Sequence, residues 1–74
     1  MHYHIVMDQR GDKRHAYSPD NARSLAGAEK RFKELTGQGY RAVALGKGGQ
    51  PGTLMRIFDA KAEETLFIPQ LQGG

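Results

Sequence analysis

The stretch Leu66-Phe67-Ile68-Pro69-Gln70-Leu71-Gln72-Gly73-Gly74 sets a bare diglycine directly after an apolar segment. Glycine has no Cβ, so a pair of them lets the backbone enter a channel too narrow for side chains. A chain end of this kind can thread into an enzyme and present its carboxylate to ATP. Ordering two glycines is entropically unfavourable, so the pair is not there to stabilise a fold. The plainer alternative is a frayed terminus rich in small residues.

Three histidines form the second group with chemical potential. His2 and His4 sit two apart on an expected strand and share a face, and His15 lies on the strand expected to pair with it. Imidazole nitrogens so placed can ligate Zn²⁺ or Cu²⁺. No thiolate is available and no carboxylate stands at motif spacing. We therefore expect no metal site and exposed, unliganded histidines near the N-terminus.

Other motifs are weaker. Gly46-Lys47-Gly48-Gly49-Gln50-Pro51-Gly52-Thr53 lacks the GxxxxGK[ST] order of a phosphate loop and does not lead into a helix. Ser18 and Ser24 have no base positioned beside them and read as helix caps. Arg10-Gly11-Asp12 spells an adhesion tripeptide but reads as turn chemistry. No side-chain constellation supports catalysis, so the chain is expected not to be an enzyme.

The composition narrows the classes further. The chain has 74 residues, no cysteine and a net charge of +3. That length makes one small domain held by packing alone. Missing cysteine excludes disulfides, thiolate zinc and a cysteine nucleophile. The basic residues are dispersed rather than gathered into a stripe with interleaved aromatics, which argues against nucleic-acid binding. No apolar run is long enough for a membrane span and no signal pattern opens the chain. A cytoplasmic location and no membrane partner are expected.

These residues need elements to position them. Residues 2–8 alternate as a strand, with Tyr3, Ile5 and Met7 on one face and His2, His4, Val6 and Asp8 on the other. Residues 9–12 turn, and 13–17 return as the second strand of a hairpin. Leu25, Ala28, Phe32 and Leu35 recur at helical spacing. Ser18 with Pro19, or Ser24, would cap that helix, and Gly37 fits its C′ position. Gly27 inside the pattern costs about 1 kcal/mol relative to alanine, which implies close packing on the sheet or a later helix start. Residues 40–45 form a third strand, 46–52 a loop, 53–58 a fourth strand, 59–64 one helical turn, and 65–68 a short fifth strand ended by Pro69. The helix is expected to cross over to a strand lying parallel to the first.

This element order, the length and above all Glu64 to Gly74 resemble ubiquitin-like β-grasp proteins. The tail resembles the sulfur carriers of that group, the molybdopterin-synthase small subunit and the thiamine sulfur carrier, and a bacterial ubiquitin-like modifier matches equally well. The resemblance implies an α+β, ββαββ(β) fold, with a mixed sheet and one helix packed across one face. Residues 1–69 would form a single β-grasp domain and 70–74 a flexible C-terminal tail. It also implies a carrier or modifier. A partner activating enzyme would use ATP and Mg to adenylate the Gly74 carboxylate, and a thiocarboxylate or thioester would follow. Gly73 and Gly74 are then the activation site, and Phe67 (if it faces solvent), Leu71 and Gln72 bind the partner. No cofactor is bound by the chain itself. Partners would be the activating enzyme, a conjugating enzyme, a sulfur donor or a metalloprotease. The alternative is a non-enzymatic protein–protein interaction module with an idle tail.

Overall fold

A computed structural model describes residues 1–45 and 52–69. Strands β1 (His2–Asp8), β2 (Gly11–Tyr17), β3 (Tyr40–Leu45), β4 (Thr53–Met55) and β5 (Glu64–Pro69) form one sheet, and helix α1 (Ala22–Gly37) lies across it. The order across the sheet is β2-β1-β5-β3-β4. β1 and β5 are parallel, and every other neighbouring pair is antiparallel. The result is a small α+β fold with a mixed five-stranded sheet.

The β1–β2 hairpin closes tightly, with Asp8 opposite Gly11 and only Gln9 and Arg10 between them. Gly11 takes a φ of 117°, which a side chain would oppose. The Asp8 carboxylate accepts from the Arg10 N–H at 3.3 Å, fixing the turn locally. This turn is shorter than the four residues expected, so β2 begins two residues earlier.

Helix α1 is capped by Asn21 rather than by Ser18 or Ser24. The Asn21 side chain accepts from the Ser24 N–H at 3.0 Å, which satisfies one of the open donors of the first turn. The Ser24 hydroxyl instead accepts from the Ser18 N–H at 2.8 Å and ties the preceding turn to the helix. At the other end Gln38 is the C-cap, and Gly39, not Gly37, takes the left-handed backbone beyond it, with φ 103°. The Gly39 N–H donates to the Thr36 carbonyl at 3.1 Å.

The core forms where Phe32 of α1 meets Val6, Ala42 and Phe67 of the sheet, with Leu35, Tyr40, Met55 and Phe58 packed around them; Ala28 of α1 is buried as well. Phe67 is 0% exposed and touches Phe32 edge-on, with ring centroids 5.8 Å apart. Full burial of a side chain this size contributes about 2–3 kcal/mol.

Three expectations are corrected. The strand that lies parallel to β1 is β5, not the strand after the helix; β3 runs antiparallel to β5 on its far side. The fourth strand stops at Met55 instead of residue 58. Continued alternation would put Phe58 on the same side as Leu54, away from the helix. The chain bends at Arg56 and Ile57, leaving Ile57 79% exposed while Phe58 turns back to meet Phe32, Tyr17 and His4. Residues 59–63 hold no helical turn. Asp59 accepts from the Lys61 N–H at 2.9 Å through its side chain and from the Ala62 N–H at 3.2 Å through its carbonyl, an Asx-type turn that competes with helix.

Gly27 is also explained differently. It lies inside a helix that begins at Ala22, is exposed, and a Cβ built on it would meet nothing within 4 Å. Neither close packing nor a late start accounts for it, so only its conformational cost remains. Gly27→Ala is expected to stabilise the domain by about 1 kcal/mol, raising the thermal midpoint by about 4–8 °C at this size. Circular dichroism melts of the two proteins check it; an unchanged or lower midpoint contradicts the assignment.

Candidate functional site

Residues paired across neighbouring strands share a face of the sheet. The register therefore sorts every strand residue into a helix side and an open side. His4 lies opposite His15 and Thr65, and Val6 opposite Lys13 and Phe67, all on the helix side. On the open side one row crosses all five strands: Arg14, Ile5, Leu66, Val43 and Leu54. Three apolar side chains of this side are well exposed, Met7 at 36%, Leu54 at 53% and Ile68 at 38%. At its β2 edge Arg14 stacks over the Tyr3 ring, 4.7 Å from its centroid, and pairs with Glu64 at 3.7 Å. Both charged groups are exposed, so the pair orients the edge more than it stabilises it.

This sorting decides one residue expected to meet a partner. Phe67 does not face solvent: with Val6 on one neighbouring strand and Ala42 on the other, it points under the helix and is wholly buried. Its sequence neighbours Leu66 and Ile68 occupy the open side instead. Leu71, Gln72, Gly73 and Gly74 lie outside the described residues.

The histidines are not the exposed, unliganded set expected. His4 is 0% exposed, and its ring is enclosed by Tyr17 and Phe67 at 5.0 Å and by Phe58 at 6.0 Å. His2 packs edge-on against Tyr17 at 5.5 Å, and His15 is half-buried. Among the described residues neither ring nitrogen of His4 has a hydrogen-bond partner, nor has Nδ1 of His2. Burial, then the positive charge of Arg31, then His15, lower the His4 pKa from 6.5 to about 4, so its imidazole is neutral. His15 is lowered for similar reasons: burial, then Arg31, then Lys13. Burial and then Asp59 raise the Tyr17 phenol, which stays protonated and donates to the Ala62 carbonyl at 3.4 Å. Among the described residues no group of three or more His, Asp or Glu side chains is arranged to hold a metal ion. The Arg31 charge beside His4 and His15 further opposes a cation there.

An open groove of about 630 Å³ lies at the β4 edge, lined in part by Leu54, Ile57 and Phe58 with Arg56, Asp59 and Lys61 at its rim. Its Asp59 carboxylate already accepts from the Lys61 backbone, and no nucleophile with a base beside it lines the groove. Among the described residues no helix is long and apolar enough to cross a membrane. No protein-family model, curated protein or solved structure matches the chain.

The neutral buried imidazole makes stability depend on pH in a defined direction. The unfolded chain protonates His4 near 6.5 and the folded chain only near 4. Between these values the unfolded state binds more protons, so stability falls as pH drops from about 6.5 toward 4, by about 3 kcal/mol in all. His4→Leu is expected to remove that part of the decline. Urea midpoints of both proteins at pH 7.5 and 4.5 measure it; equal losses in the two proteins contradict the assignment.

Proposed function

We propose that this chain is a ubiquitin-like carrier or modifier, in which the Gly74 carboxylate is the reactive group. A partner activating enzyme binds MgATP and transfers AMP to that carboxylate, with pyrophosphate leaving. The acyl-adenylate is then open to attack by hydrosulfide from a sulfur donor, giving a thiocarboxylate, or by a partner cysteine thiolate, giving a thioester. AMP leaves in either case. The protein supplies substrate and docking surface, and the partner supplies catalysis.

The observation that carries this reading is the sheet order together with the sequence of its central strand. The order β2-β1-β5-β3-β4, with β1 and β5 parallel and one helix across the face, is compatible with a β-grasp architecture. Its middle strand β5 is Glu64–Pro69, the segment whose continuation in sequence is Gln70-Leu71-Gln72-Gly73-Gly74. Proline at residue 69 lacks the N–H that would donate to the ladder at that position. Gly73 and Gly74 offer no side chain to obstruct a narrow channel. Leu71 and Gln72 are the positions that would anchor in it.

The exposed apolar side of the sheet favours a second reading, a protein–protein interaction module. The row Ile5, Leu66, Val43 and Leu54 is contiguous across four strands, half-buried except for the exposed Leu54, and contiguous apolar faces mark contact sites. In that reading the tail has no role.

Incubation with MgATP and the cognate activating enzyme, followed by intact mass spectrometry, separates the two. The carrier is expected to gain an adenylate, a sulfur or a covalent conjugate at Gly74. Removal of Gly73 and Gly74 should abolish the gain while leaving the circular dichroism melt unchanged. A folded protein that acquires no mass, and whose truncated form binds its partner equally well, supports the module instead.

A further inference from the structure

The sheet ends in two edge strands, β2 and β4, each with a neighbour on one side only. A free edge presents N–H and C=O groups at strand spacing, a template for one more strand, and proteins commonly guard such edges with charged side chains. β2 is guarded: Asp12, Lys13 and Arg14 follow one another along it, all exposed. β4 is Thr53-Leu54-Met55 and carries no charge. Among the described residues no backbone hydrogen bond reaches it from the side away from β3.

The open groove of about 630 Å³ adjoins this unguarded edge, a size within the range of about 300–1,000 Å³ usual for binding clefts. Thr53 and Met55 line it from β4, and their register with Ala44 and Ala42 puts both on the helix side of the sheet. The chain that leaves β4, from Arg56 to Ala62, supplies the remainder of the lining, including the Phe58 ring. Two apolar side chains of the lining are strongly exposed, Leu54 at 53% and Ile57 at 79%. Arg56 and Lys61 are exposed cations of the rim, and neither forms an ion pair among the described residues. Asp59 is the single carboxylate there, and it accepts from the Lys61 N–H. The lining thus carries a surplus of positive charge.

We propose that the β4 edge and this groove bind an extended peptide segment of a partner protein, three apolar residues flanked by acidic ones, which adds to the sheet as a sixth strand. The free edge selects an extended backbone. Side chains of an added strand alternate between the two sides of the sheet. Residues set opposite Thr53 and Met55 enter the groove, and the residue between them continues the row Ile5, Leu66, Val43 and Leu54 on the open side. All three positions are therefore apolar. Carboxylates beyond them meet Arg56 and Lys61. A ladder of three residues is short, so these side-chain contacts carry much of the affinity. A second copy of this chain is the poorer occupant, because it brings the same positive surplus. The site is independent of the proposed role of Gly74, and it uses the edge of the sheet where the module reading uses the face.

Titration of the isotope-labelled full chain with the blocked peptide Glu-Glu-Val-Ile-Val-Glu-Glu, at constant ionic strength, tests this by NMR of the backbone amides. Its acidic residues at both ends place a carboxylate near Arg56 in either strand direction. The expected result is saturable shifts centred on Thr53, Leu54 and Met55, with slower hydrogen exchange in that strand. Replacing the central isoleucine of the peptide by proline removes a donor and opposes strand pairing, and should weaken binding about tenfold or more. Exchanging its glutamates for lysines should do the same. Arg56→Gln and Ile57→Ser alter exposed side chains and keep the fold; about threefold and tenfold weaker binding are expected. Shifts that do not saturate, that centre on β2 or on Ile5, Leu66 and Val43 without β4, or that the lysine or proline peptide reproduces equally overturn the proposal. So do unchanged affinities in both variants. Movement of the same amides on dilution of the free protein gives the edge to a second copy and overturns it as well.

Discussion

The fold depends on the insertion of β5 between β1 and β3. Until that strand is in place, the hairpin at one end of the sheet and the β3–β4 pair at the other have no shared backbone ladder. The same strand carries Phe67 and Thr65, both fully buried, into the space beneath α1. One segment thus supplies the ladder hydrogen bonds to two neighbours and the central side chain of the core. Its partners are distant in sequence, with residues 3–6 meeting 64–67. Closing so long a loop costs entropy before any contact repays it.

Around that strand the interior is aromatic but not purely apolar. Tyr17, Phe32, Phe58 and Phe67 pack edge-on or tilted about one another and about the His4 ring. Imidazole fits this geometry as a flat ring of modest size. Thr65 beside it resolves its own polarity by donating to the Met55 sulfur at 3.7 Å, whereas the His4 nitrogens have no such outlet among the described residues. A small core tolerates a buried polar ring only because the remaining packing compensates for it. The helix side of the sheet therefore combines the tightest packing with the least satisfied polar atoms.

Much of this was legible in the residues. The alternation in Tyr3–Met7 and in Arg41–Leu45, the spacing of Leu25, Ala28, Phe32 and Leu35, and the Gly11 turn mark strand, helix and hairpin by local periodicity. What escaped was non-local or competitive. The partner of β1 could not be read because a parallel pairing is decided by the whole sheet, and the helix pointed to the wrong strand. Asn21 lost to Ser18 and Ser24 because all three are good caps and only the backbone distinguishes them. Phe58 left its strand because a core vacancy outweighed continued alternation. His4 was read as a surface residue on side-chain polarity, although its place on the same face of β1 as the apolar Val6 was a signal of burial. Of the residues expected to meet a partner, Phe67 belongs to the interior, while those beyond Pro69 fall outside the described residues.

The parallel arrangement of β1 and β5 has a mechanical corollary. His2 begins the first strand, and Pro69 ends the last one beyond the level of Val6, so the two strands run side by side in the same direction. Tension applied through the two ends of the chain would load their shared ladder in shear. All its bonds would have to fail together, instead of unzipping one after another as the β1–β2 hairpin would if pulled apart from its open end. A domain built this way is loaded at its strongest seam when its two ends are drawn apart.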